Sequence, residues 1–134
     1  MKQTPSPDVA REVIETDAAP GAIGPYSQAI RHGGLLFCSG SLPLDPESGE
    51  LLSDDLTAET RRCLHNLAAV CEHAGTSLDR ALRLTIYTTE LSAFATINDA
   101  YAEFFESEPP ARAAVGVVEL PKGARVEIDA IVAV

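Results

Sequence analysis

Residues 124–134 constrain this chain most. Val126, Ile128, Ala130, Val132 and Val134 are apolar, and Arg125, Glu127 and Asp129 stand between them. A period of two sends alternate side chains to opposite faces, so the segment is a strand with one buried face and one face that carries charge. Leu82–Thr89 repeats the pattern through Leu84, Ile86 and Thr88. Leu35-Leu36-Phe37-Cys38-Ser39-Gly40 follows Gly33-Gly34, and its short length and flanking glycines predict a buried strand. Ala113–Leu120 is a further strand, leading through the turn Pro121-Lys122-Gly123 into the last one. From Val13 to Ile30 the dipeptides Pro20-Gly21 and Gly24-Pro25 predict short strands joined by loops.

Only two segments have helical period. In Thr57–Ala74 the residues Thr60, Cys63, Leu64, Leu67, Val70, Cys71 and Ala74 form one apolar face, with Asp54 and Asp55 at the positive end of the dipole and Gly75 as the stop. The second helix is predicted to be capped by Ser92, with Phe94, Ile97, Tyr101 and Phe104 or Phe105 as its stripe, and Pro109-Pro110 ends it. The order is therefore strands, helix, strand, helix, two strands. Two helices cover one face of such a sheet and leave the other bare, with Gly116, Glu127, Asp129 and Ile131 on it. A half-apolar bare face predicts association with further copies, and clefts between subunits are natural places for a ligand.

A chain of 134 residues makes one domain, expected over residues 13–134, with residues 1–12 as a loose arm. The formal net charge is −10, the wrong sign for phosphate neutralisation, so nucleic-acid partners are not expected. An apolar run of about 18 residues, enough to span a bilayer, is missing from the sequence, and no membrane partner is expected. Residues 1–8, MKQTPSPD, lack a signal-peptide core, and the three cysteines Cys38, Cys63 and Cys71 suit a reducing compartment; both point to a cytoplasmic location.

Cys63, His65, Cys71 and His73 suggest a zinc set, but on one helix their spacing spreads them about 12 Å along the axis and around its sides, so no metal site is expected. His32, beside Gly33-Gly34, reads as a turn residue. The sequence has no phosphate-binding glycine loop before a helix and no G-x-S-x-G elbow. Three features carry possible chemistry. Tyr26 sits beside the rigid Gly24-Pro25 turn. Arg112 rises from the small residues Ala111, Ala113 and Ala114, leaving room for a carboxylate ligand. Glu127 lies mid-strand, where partial burial would raise its pKa and suit it to proton transfer.

In order along the chain, IGPYSQAI (23–30), LLFCSGSLPLDPESGEL (35–51), TRRCLHNLAAVCEHAG (60–75), INDAYAEFF (97–105) and PPARAAVGVVELPKGARVEIDAIVAV (109–134) resemble the Rid family, the reactive intermediate deaminases also called the YjgF family. The resemblance implies an α+β fold like the Bacillus-type chorismate mutase, a six-stranded mixed sheet with two helices on one face, assembled as a homotrimer with sites in the clefts. It also implies that the last two strands are separated in the sheet, where the turn alone would suggest a hairpin. The implied activity is hydrolysis of 2-imino acids such as 2-aminoacrylate, 2-iminopropanoate or 2-iminobutanoate to 2-oxo acids and ammonia, with no cofactor and no metal. By the same resemblance Arg112 would clamp the substrate carboxylate and Glu127 would activate water. Tyr26, Asn98, Ala114 and the backbone at Ser39-Gly40 would line the pocket. The chain departs from the family at Ser41, where Gln is frequent, and at Ala113-Ala114, which replace a Ser-Cys or Ser-x pair. Alternatives are a relative acting on a larger imine in a catabolic pathway, a non-catalytic, chaperone-like trimer, or an endoribonuclease.

Overall fold

A computed structural model describes residues 10–134. Residues 1–9 of the expected arm lie outside the described residues, and Glu12 already belongs to the first strand. The elements run β1 (Glu12–Ile14), β2 (Ala29–His32), β3 (Leu35–Ser41), α1 (Leu56–His73), β4 (Ala81–Thr88), α2 (Phe94–Ala102), β5 (Ala111–Gly116) and β6 (Val126–Ala133). They form one six-stranded sheet in the order β1-β2-β3-β6-β4-β5. Every pairing is antiparallel except β4 with β5. A parallel neighbour needs a crossover, and α2 supplies it. The fold is the expected α+β arrangement, and β5 and β6 are not a hairpin, because β4 lies between them.

The core lies between the helices and one sheet face. Leu36, Leu84, Ile86, Val126, Ile128 and Val132 from the strands meet Leu64, Leu67 and Ile97 from the helices, all fully buried. Local signals fix α1. The Asp55 carboxylate accepts from the Ala58 N–H at 2.8 Å as its N-cap. At the other end Gly75 takes φ +85°, the Thr76 N–H reaches the Cys71 carbonyl and the Gly75 N–H reaches Glu72. That is a Schellman stop, for which the left-handed glycine is required. Glu59, on the first turn, is nearly buried and takes a two-point ion pair from Arg125, which also donates to the Asp54 carbonyl at 2.8 Å. This clamp ties the start of α1 to the start of β6.

Two expectations need correction. Ser92 is exposed and caps nothing: a 3-10 turn over Leu91–Ala93 leads into α2, whose N-cap is Ala93 with no side-chain bond. The tight turn supplies its own backbone partner, the Ala93 N–H donating to the Glu90 carbonyl at 2.9 Å. The strand expected over Ala113–Leu120 is instead Ala111–Gly116, because its pairing runs from Arg83 opposite Ala111 to Thr88 opposite Gly116 and stops where β4 stops. After a last bond from the Val117 N–H to the Thr88 carbonyl at 2.9 Å, the chain leaves the sheet edge.

The face away from the helices is bare in the protomer. Phe37 and Val115 stand on it 42% and 40% exposed, beside Ile131. No helix among the described residues is long and apolar enough to cross a membrane.

Candidate active site

The register of β3 against β6 creates the first half of the site. Cys38 faces Ala130 and Ser41 faces Ile128, so three steps on β3 match two on β6. The extra residue is a bulge at Ser39-Gly40, a device that bends a strand and re-aims its neighbours. Glu127 of β6 lies against this bulge. A Cβ at Gly40 would stand 2.9 Å from Glu127 Cδ and closer still to its carboxylate, so only glycine lets the carboxylate rest on the backbone there. Burial pushes the Glu127 carboxyl above its ordinary range, and the neighbouring Asp129 pushes it further in the same direction. Asp129 is engaged by the Tyr87 hydroxyl, which donates to it at 3.1 Å. Among the described residues the Glu127 carboxylate has neither an ion pair nor a hydrogen bond.

Ser39 is pinned beside Gly40. Its N–H donates to the Gln28 carbonyl at 2.9 Å and its hydroxyl to the Ser27 carbonyl at 2.5 Å. Tyr26 is 45% exposed, its backbone turned by a bond to the Gly24 carbonyl and its hydroxyl accepting from the Ile23 N–H at 3.2 Å. The loop that carries Tyr26 is organised by Gln28, a residue without an assigned role in the sequence reading. The buried Gln28 amide accepts from the Thr16 N–H at 2.7 Å and donates to the carbonyls of Thr16, Ala19 and Pro20. Gln28→Leu strands these groups and is expected to destabilise the protein by about 2–3 kcal/mol. Urea unfolding checks this as a lowered midpoint at unchanged slope; a midpoint equal to wild type would remove Gln28 as the organiser of the loop.

The second half is built on edge strand β5 and α2. Arg112 pairs in register with Leu84, so its side chain emerges on the helix-covered side of the sheet. Its guanidinium lies 5.2 Å from the ring centre of Phe94 and 4.9 Å from that of Tyr101, and Nη1 donates to Asn98 Oδ1 at 2.7 Å. Phe94, Asn98 and Tyr101 are four and three residues apart on α2, one helical face that serves as a rest for the arginine. No carboxylate of the described residues pairs with Arg112, so much of its donor fork is open to a ligand. Ala114, two residues on and on the same side, is exposed and leaves the floor beside it low. Sequence reasoning placed Phe94 and Tyr101 in an apolar stripe; their heptad-like spacing around Asn98 was the signal for this second use.

One protomer does not bring the two halves together. Tyr26, Ser39, Gly40 and Glu127 form one group, and Asn98, Arg112 and Ala114 form the other. Arg112 is level with Ala130 of β6, two strands away, and Glu127 is three residues further along, roughly 14 Å between backbones and on the opposite face. The zinc-like set separates as its spacing predicts: Cys63 and Cys71 are fully buried, and His65 and His73 are exposed. Burial pushes the Cys63 thiol upward, as for a core side chain. His65 rests edge-on against Phe104, and His32 is exposed at the Gly33 turn. No three His, Cys, Asp or Glu side chains among the described residues gather as a metal site would require.

Comparison with known proteins places these residues in context. The family model described as endoribonuclease L-PSP matches residues 16–134. The RutC family protein y4sK of Sinorhizobium fredii is 50% identical over 121 residues, 90% of this chain and 96% of its own length. The human 2-iminobutanoate/2-iminopropanoate deaminase is 40% identical over 121 residues, 90% of this chain and 88% of its own. The crystal structure of RidA from an Antarctic Psychrobacter superposes with a TM-score of 0.87 at 43% identity, covering 92% of this chain and 99% of that one.

Proposed function

This chain belongs to the endoribonuclease L-PSP family, the Rid or YjgF family, and from that membership we propose that it is an imine deaminase acting on small 2-imino acids. The observation that carries the reading is Arg112, an unpaired cation held in place by Asn98 and two aromatic rings on a protein of net charge −10. An arginine fork recognises a carboxylate in two-point geometry, and fixing it beforehand lowers the entropy lost on binding. Because Glu127 and Arg112 lie on opposite faces of one protomer, the site is completed by a second copy docked on the bare sheet face, in a homotrimer. Exposed Phe37 and Val115 on that face support such docking.

In this site the carboxylate of R–C(=NH)–COO⁻ binds Arg112, and C2 comes to the Glu127 half. Water adds to C2 of the protonated imine while its proton passes to the Glu127 carboxylate. The carbinolamine then collapses: its nitrogen takes up the proton held on Glu127, the C–N bond breaks to release ammonia, and the C2 hydroxyl gives its proton to the Glu127 carboxylate as its oxygen becomes the carbonyl of the 2-oxo acid, the carboxylate being restored by loss of that proton to water. An iminium carbon is already electrophilic, so orientation and proton transfer suffice.

The test is direct. A pyridoxal-phosphate-dependent dehydratase acting on serine releases 2-aminoacrylate, whose imine is trapped by semicarbazide; the protein should lower the semicarbazone yield and speed ammonia release. No acceleration with this imine or its 2-iminobutanoate homologue would overturn the proposal. Salt-sensitive cleavage of RNA in its place would favour the ribonuclease named in the family description, against which the charge argues.

A pH dependence follows from Glu127. As the base it must be ionised, and its pKa lies above the ordinary carboxylate value, so kcat/KM should fall as pH drops through that raised value. Asp129→Asn removes a negative neighbour and should move this acid limb to lower pH. A limb that stays in place, after subtraction of uncatalysed hydrolysis, would separate Glu127 from the proton transfer.

A further inference from the structure

We propose that the Tyr101 hydroxyl is a second anchor for the carboxylate that Arg112 holds, so that a guanidinium fork and a buried phenol bind the anion together. The inference rests on the deaminase reading and adds a substrate-binding residue to it. A pocket of about 430 Å³ opens beside α2, where Asn98, Tyr101 and Arg112 line it together with Phe105, Pro109 and Pro110. Its three polar members all belong to the Arg112 half of the site, so the anchor needs no residue from the opposite face of the sheet.

Tyr101 is 4% exposed, and its ring packs against Phe105, 4.8 Å between ring centres, and beneath the Arg112 guanidinium. A phenylalanine would make both contacts. The hydroxyl is what packing leaves unexplained: it is buried and has no hydrogen-bond partner among the described residues. A buried O–H without an acceptor is costly, and a ligand that brings the acceptor recovers that cost. Burial pushes the Tyr101 pKa up, which keeps the hydroxyl protonated as a donor, and the Arg112 charge opposes that push, so the hydroxyl lies within the field of the guanidinium. Asn98 Oδ1 is taken by Arg112, which leaves its Nδ2 as a further donor at the same pocket. No acidic side chain lines the pocket to use these donors. An ionised carboxylate only accepts, and its two oxygens have room for about four hydrogen bonds, so the Arg112 fork leaves capacity for the phenol.

Pyruvate, the 2-oxo acid expected from 2-iminopropanoate, carries the same carboxylate and does not react, so its affinity tests the anchor without turnover. Tyr101→Phe should weaken pyruvate binding about ten- to a hundredfold in calorimetric titration, the size of one hydrogen bond to a charged group. The urea midpoint of the ligand-free variant should equal or exceed that of wild type, because an unsatisfied hydroxyl has been removed. With 2-iminopropanoate, KM should rise by a like factor while kcat stays near wild type, since the carboxylate is held alike in the ground and transition states. Pyruvate binding by Tyr101→Phe at wild-type affinity overturns the anchor, and so does no pyruvate binding by wild type. Weakened binding accompanied by a lowered midpoint also overturns it, as a defect of packing. If imines are hydrolysed while Tyr101→Phe behaves as wild type, the deaminase reading stands without the anchor. If Tyr101→Phe weakens pyruvate binding at an unchanged midpoint but wild type hydrolyses no imine, the carboxylate anchor stands and the deaminase reading has failed.

Discussion

Arg112→Ala is expected to lower kcat/KM for 2-iminopropanoate by two to three orders of magnitude. The variant removes the unpaired guanidinium that Asn98, Phe94 and Tyr101 hold in place. Truncating one partner of a desolvated, hydrogen-bonded charge pair costs about 2–5 kcal/mol, and here the stranded partner would be the substrate's own carboxylate. Arg112→Lys keeps the charge but not the planar fork, and it should recover only part of the loss. The side chain is exposed and lies on an edge strand, so folding should be unaffected and the deficit should appear in initial rates at fixed oligomer content. An Arg112→Ala protein with wild-type kinetics would leave the site without a carboxylate clamp.

Glu127→Gln should be the second severe lesion, about 10²–10⁴-fold in kcat, the range for loss of a positioned proton acceptor. The replacement is nearly isosteric and keeps contact with Gly40, so lost rate cannot be assigned to a collapsed bulge. The native carboxyl has its pKa raised by burial and by Asp129, so its ionised form is disfavoured in the folded protein. The folded state therefore holds this proton to higher pH than the unfolded chain does. The strain of ionising Glu127 weakens stability as pH rises from the unfolded to the folded pKa, and the weakening persists above it. The glutamine variant should accordingly be no less stable than wild type near neutral pH while being far less active. Gly40→Ala should resemble it in rate, because the new methyl would collide with the carboxylate. Glu127→Gln turnover at the wild-type rate would transfer the proton chemistry to another group.

What was legible in the sequence was local. The alternation in β6, the apolar face of α1, the acids at its start and the Gly75 stop are each fixed by residues within a few positions of one another, and the structure has them where the pattern indicates. Of the features misread, one was set from a distance and one by a competing local turn. The length of β5 is dictated by β4, so no signal within Ala113–Leu120 could give its ends. Ser92 has the chemistry of a cap, but a 3-10 turn already satisfied the backbone there. The bulge at Ser39-Gly40 depends on register with β6, and the aromatic rest for Arg112 depends on α2 lying across from β5. Residue types pointed to Arg112 and Glu127, but only the sheet order reveals that one protomer holds them apart.

That separation is the centre of the account, and mixing two inactive proteins tests it most directly. Arg112→Ala and Glu127→Gln chains, each inactive alone, are unfolded together, refolded at equal ratio, and assayed once native mass spectrometry shows mixed oligomers. If each site takes Arg112 from one copy and Glu127 from its neighbour, random mixing in a closed trimer restores about a quarter of the wild-type sites. Activity near that level is the predicted result. Mixed trimers as inactive as their parents would contradict a site shared between subunits.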